Sequence, residues 1–118
     1  ALTGVNLPEE GMLDSFNVLS ALLGEKSAEG RDYIVSQDNG LRGNYGLRVG
    51  NWKLQRHDSE RMYNGNLQME AWTVPQYTLF NLTEDIREMN DVYEIFPEVA
   101  IRMKNQLQSI IDNGYTRK

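Results

Sequence analysis

The sequence predicts an α+β domain: a small antiparallel sheet of three to four strands packed against a C-terminal helix, with a short N-terminal helix. Three observations carry this prediction. Residues 45–56 form a hairpin pattern whose register checks itself, residues 97–114 repeat apolar side chains at helical spacing, and the elements run helix, strands, helix without the long crossovers a parallel sheet needs.

Residues 1–13 contain Gly4, Pro8 and Gly11 but no apolar period, so they read as a lead-in segment. A helix is expected from Phe16 to Leu23, capped by Asp14 or Ser15, because a short side-chain oxygen can accept the unsatisfied amides of a first turn. Phe16, Leu19, Leu22 and Leu23 would then share one face, and Gly24 would end it. Arg31 to Gln37, with Tyr33, Ile34 and Val35, favours a pleated backbone and is the first strand. In Tyr45 to Arg56, alternation places Tyr45, Leu47 and Val49 on one side, and Gly50-Asn51 supplies a two-residue turn. Pairing across that turn sets Val49 opposite Trp52 and Leu47 opposite Leu54, so all four fall on one face. A slip of one residue would break the match.

Residues 57–75 read as a long loop or an extra hairpin, with Asn64-Gly65 a turn candidate. A last strand follows from Gln76 to Leu82. Asp91, three residues before Glu94, has the spacing of a capping box for a helical turn from Val92 to Phe96. Pro97 then opens the final helix, where its missing amide costs nothing. Val99, Met103, Leu107, Ile110 and Ile111 form the stripe that should cover the hairpin's apolar face, and Asn113-Gly114 ends the run.

Composition bounds the function. The chain has 118 residues, 17 acidic and 12 basic groups and no cysteine, which describes one domain able to bury a core without a disulfide. Residues 1–118 are therefore expected to be a single domain, with 1–13 as lead-in and 14–118 as the compact part. A formal charge of −5 argues against general affinity for nucleic acid or anionic membrane. No stretch approaches the roughly 18 apolar residues of a membrane span, and the opening ALTGVNLPEEG lacks the basic start and apolar run of a signal peptide.

Catalytic constellations are sparse. His57 is the one histidine, so a two-histidine metal site or a histidine acid–base pair is impossible. The carboxylates Glu84, Asp85, Glu88, Asp91, Glu94 and Glu98 run around a helix start, where acidic groups meet the positive end of the peptide dipoles. They lack the glycine and spacing of an EF-hand loop. No residue is assigned a catalytic, cofactor-binding or metal-binding role. Arg48 and Lys53 stand out because the hairpin register sets them directly opposite each other. Like charges across a hairpin destabilise it unless something anionic intervenes. Either Asp32 or Asp38 neutralises the pair, or the pair faces an anionic substrate or another domain. Trp72 is a candidate sugar platform or a satellite of the core.

Four segments carry a family resemblance: DSFNVLSALLGE, GRDYIVSQ, LRVGNWKLQ and TLFNLTEDIREMNDVYEIFPEVAIRMKNQL. Their order and spacing resemble the C-terminal part of sulfatases, especially the arylsulfatase-like enzymes of polysaccharide-degrading bacteria. Those enzymes carry a DS-N-LL-G segment, an R-G-WKL hairpin and a LY-DL-DP-E-NL segment before a proline-started helix. The counterparts are Asp14 to Gly24, Arg48 to Leu54, and Leu79 to Val92 followed by Pro97. Ile86 stands where the family usually has proline, Arg87 where glycine is frequent and Asp91 where asparagine is common, which leaves that turn less rigid.

The resemblance implies a parent that hydrolyses a sulfate ester of a carbohydrate or aryl compound. It also implies a formylglycine made from a Cys/Ser-X-Pro-X-Arg motif, and calcium, both in a larger N-terminal catalytic domain. Pro8, Pro75 and Pro97 do not sit in that motif. This chain is then the C-terminal subdomain, inactive alone, with the missing catalytic domain as its partner and sulfated substrate reached through the parent. Arg48, Lys53, His57 and Trp72 become candidates for the substrate side or the domain boundary. The family further implies export to the periplasm or cell surface. Two other readings stay open: a stand-alone binding module, and the same subdomain of a related phosphodiesterase or phosphatase.

Overall fold

The computed structural model describes residues 14–26, 28, 30–38, 44–57, 61–64, 68–73 and 75–114, with the backbone alone in 61–64 and 69–73. Its elements are α1 (Leu19–Leu22), β1 (Tyr33–Gln37), β2 (Tyr45–Val49), β3 (Trp52–Arg56), β4 (Arg61–Asn64), β5 (Met69–Thr73), β6 (Tyr77–Asn81) and α2 (Pro97–Asn113). Strands β1, β2, β3 and β6 form an antiparallel sheet in that order, and β4 and β5 pair separately. The α+β expectation stands. Within 57–75 the paired strands β4 and β5 are the extra hairpin, between β3 and β6 in sequence, and the His57 N–H donates to the Gln76 carbonyl at 2.8 Å. The lead-in 1–13 and the Gly65 half of the Asn64-Gly65 turn lie outside the described residues.

The hairpin register is the one the alternation demands: Val49 faces Trp52, Leu47 faces Leu54 and Arg48 faces Lys53. Gly50 turns with φ +56°, and Asn51 has no positive φ. That is the pattern of a II′ turn, whose first central position suits glycine because it has no Cβ. Across the sheet, Val35, Leu47, Leu54 and Leu79 stand in one rung. The three leucines of that rung are fully buried against Ala100, Met103 and Leu107 of α2. The helix stripe thus covers the face the sequence assigned to it. Val49, Trp52, Val99, Ile110 and Ile111 pack around this centre. At the helix start, the Trp52 ring meets Phe96 edge-on, with centroids 5.1 Å apart. At the other end, Gly114 takes a left-handed conformation and donates to the Ile110 and Ile111 carbonyls.

Three expectations need correction. The N-terminal helix is one turn, Leu19–Leu22, and neither Asp14 nor Ser15 caps it. Instead the Asn17 Oδ1 accepts the Leu19 N–H at 3.1 Å. Phe16 lies before the helix, under the Arg31 guanidinium at 4.8 Å from the ring centroid. The expected apolar face is not buried, because Leu22 and Leu23 are 76% and 62% exposed. A single turn has too few hydrogen bonds to extend without a surface to pack on. The first strand starts at Tyr33, two residues later than expected. The last strand is likewise trimmed at both ends, to Tyr77–Asn81. The segment Val92 to Phe96 forms a hydrogen-bonded turn, with Ile95 and Phe96 N–H groups both donating to the Val92 carbonyl at 3.0 Å.

Asp91 organises that turn. Its Oδ1 accepts the Tyr93 N–H and also the Leu79 N–H of β6, each at 2.9 Å. The Val92 N–H in turn donates to the Leu79 carbonyl at 2.8 Å. Both main-chain groups of Leu79 on the outer edge of β6 are thereby satisfied, which blunts that edge against foreign strands.

Two outcomes follow for stability. Met103→Ala should cost about 2–5 kcal/mol, as for other large-to-small core changes. Ile101→Ala, at a position 58% exposed, should stay within about 0.5 kcal/mol in urea denaturation. Asp91→Ala should cost about 1–2 kcal/mol through the lost cap and the unpaired Leu79 amide. Asp91→Asn keeps the accepting oxygen and should cost less than about half of that in the same assay.

Candidate functional site

Because the apolar rungs face α2, the alternate residues of the sheet face outward. Ile34, Arg48, Lys53 and Phe80 share one outward rung, and Ser36, Gly46, Gln55 and Thr78 the next. Phe80 and Thr78 are buried there. The chain after β6 supplies the other polar group of this face: the carboxylate of Glu88.

Glu88 neutralises Lys53, one of the two opposed cations, in place of the Asp32 or Asp38 expected from the sequence. Lys53 Nζ donates to both Glu88 carboxylate oxygens at 2.7 and 2.8 Å, and Gln55 Nε2 donates to Oε2 at 2.7 Å. Asp38 is engaged with Asn44, whose Nδ2 donates to it at 2.6 Å. Asp32 lies exposed before β1. The Glu88 backbone has φ +56°, which is uncommon for a residue with a side chain. Such a conformation costs on the order of 1–2 kcal/mol. Three charge-assisted hydrogen bonds offset it, in a setting where the two ionic side chains are only 28% and 26% exposed.

Arg48 is left as the open cation of the pair. Its Nε donates to the Gly50 carbonyl at 3.1 Å, which orients the guanidinium over the outer face. Two hollows lie on this face. One, of about 260 Å³, is lined by Ile34, Ser36, Gly46, Arg48, Lys53, Leu82 and Glu88. The other, of about 410 Å³, shares Ser36, Gly46 and Lys53 and runs on to Asn44, Gln55 and His57. Gly46 makes room for the Ser36 side chain beside it, because a Cβ there would come within 2.8 Å of the Ser36 hydroxyl oxygen.

The structure therefore gathers three of the four sequence candidates, Arg48, Lys53 and His57, on one polar face. Trp72 falls on β5, and its side chain is outside the described set. Glu88, Gln55 and Ser36 were not singled out by the sequence. Glu88 reads locally as one more acid in an acidic run, and only its left-handed backbone aims it at Lys53. Among the described residues no three carboxylate or imidazole groups gather as a metal site. Among the described residues no helix is long and apolar enough to cross a membrane.

Both fold and sequence now point to one class, the sulfatases, and the resemblance read from the motifs is borne out. No family model matches the chain. It is similar to an N-acetylgalactosamine-6-O-sulfatase of Bacteroides thetaiotaomicron, with 31% identity over 110 residues, covering 93% of this chain and 21% of that protein. It is also similar to a solved sulfatase chain from a study of glycosaminoglycan metabolism by Bacteroides thetaiotaomicron. There the TM-score is 0.74 at 30% identity, covering 92% of this chain and 22% of the other. The chain thus spans about a fifth of the length of the relatives it matches.

The Lys53–Glu88 pair can be weighed by a double-mutant cycle. Lys53→Met and Glu88→Gln should each destabilise the chain, with a coupling of about 1 kcal/mol that shrinks in high salt. Additive effects in denaturant titrations would show that the two side chains do not support each other.

Proposed function

We propose that this chain is the C-terminal subdomain of a sulfatase, packed on the catalytic domain of the same polypeptide and forming part of the wall of its substrate cleft. The carrying observation is the pattern of coverage: the likeness takes in 92–93% of this chain but only 21–22% of each sulfatase. A second observation supports a packed neighbour. Leu22, Leu23, Ile86, Met89, Ile95 and Ile101 are all more than half exposed, apolar side chains that a neighbouring domain could cover.

The names of the two relatives favour a sulfated amino sugar of a glycosaminoglycan as substrate of the parent, in preference to an aryl sulfate. In this reading the formylglycine and calcium that the family uses belong to the preceding catalytic domain. The parent is an exported enzyme acting outside the cytoplasm.

Expression of the complete reading frame beside residues 1–118 alone tests this. Sulfate release from N-acetylgalactosamine 6-sulfate, followed by ion chromatography, is expected from the complete protein and not from the 118-residue chain. Turnover by the short chain, or a complete reading frame without a Cys/Ser-X-Pro-X-Arg motif, would overturn the proposal.

A further inference from the structure

We infer that the groove on the outer sheet face is a saccharide subsite, in which Arg48 holds the sulfate of a sugar unit other than the one being hydrolysed. The inference rests on the sulfatase reading above and assigns it a place. Three features carry it.

The first is charge. Arg48 and Lys53 stand opposite each other, and Glu88 neutralises one of the two. Among the described residues the rung keeps one positive charge without an ion-pair partner, in a chain whose net charge is −5. An anion placed beside Arg48 relieves the repulsion that Glu88 leaves. Guanidinium suits a sulfate because its planar fork can donate two parallel hydrogen bonds to two oxygens. The Gly50 carbonyl takes only Nε, and among the described residues no other partner is recorded for the terminal nitrogens.

The second is shape. The two hollows share Ser36, Gly46 and Lys53, so they form one shallow trough along the strands. Their volumes, about 260 and 410 Å³, each sit near the lower end of ligand sites, about 300–1,000 Å³. A long open trough fits a chain of sugars better than a compact molecule.

The third is lining. Ser36, Gln55, Asn44 and Glu88 offer hydroxyl, amide and carboxylate groups of the kind that pair with sugar hydroxyls, and Ile34, half exposed, offers apolar surface to a ring face. Most of the exposed large apolar residues lie elsewhere, in α1 and between residues 86 and 101. The catalytic domain is drawn there, and the polar trough stays open beside it.

The test is an NMR titration of the 118-residue chain with a 6-O-sulfated N-acetylgalactosamine disaccharide, its desulfated counterpart and sodium sulfate. The expected result is saturable shifts of the Ser36, Gly46 and Arg48 amides with the sulfated disaccharide alone. Arg48→Ala, an exposed change, should weaken binding about tenfold, and Arg48→Lys should recover only part of it. Shifts confined to other residues, an unchanged affinity in Arg48→Ala, or equal binding of sodium sulfate or the desulfated sugar would overturn the inference. Sulfate release by the complete protein reads the sulfatase proposal separately. A silent trough in a working enzyme defeats this inference alone, and binding without turnover defeats only the other.

Discussion

One apolar seam governs the rest of the structure: Leu47, Leu54 and Leu79, side by side on three strands, closed by Ala100, Met103 and Leu107 of α2. Each fully buried leucine contributes roughly 1.5–3 kcal/mol relative to an exposed one. In a sheet with side-chain period two, that seam also dictates what faces the other way. A slip of one residue would turn the leucines to water and bring Arg48 and Lys53 under the helix. The polar outer face is therefore a consequence of the core, and the register that buries one defines the other.

The segment between β6 and α2 completes both faces. Asp91 and Val92 satisfy the main chain of Leu79 at the sheet edge, and Phe96 carries the chain over Trp52 into the helix. Glu88, held in a left-handed conformation, reaches the outer face and binds Lys53 and Gln55. Strain at a residue with a side chain persists where the surroundings over-determine it. Here the surroundings are two donors, the Gln55 amide and the Lys53 ammonium, of which Lys53 would otherwise face Arg48 without a counter-charge. The departures from the sulfatase pattern in this segment fit that account. Asp91 offers the same accepting oxygen as asparagine, so the edge contact does not depend on which of the two is present.

The distribution of exposed surface bears on the proposal that this chain packs on a neighbouring domain. The core is small, and apolar side chains of α1 and of residues 86–101 remain in water. The one-turn α1 shows the effect directly. Its sequence repeats leucine at helical spacing, yet nothing in the described residues packs on Leu22 and Leu23, and the helix stops after a turn. A neighbouring domain would supply the missing contact and lengthen the stripe.

The sequence by itself determined the local and the nearly local. The β2–β3 register was readable because a two-residue turn leaves one pairing that puts Leu47, Val49, Trp52 and Leu54 on the same side. The limits of α2 were readable because Pro97 and Gly114 act through their own backbones. The opposition of Arg48 and Lys53 followed from the register alone. What neutralises that pair did not follow, since Asp32 and Asp38 are nearer along the neighbouring strand while Glu88 lies 35 residues after Lys53. Its approach depends on a backbone angle that its neighbours in sequence do not impose. The trough likewise exists only once β1 lies beside β2 and sets Ser36 against Gly46. Short-range geometry is written in residue type and spacing. The meeting of distant polar groups is settled only when burial of the apolar seam has positioned every strand.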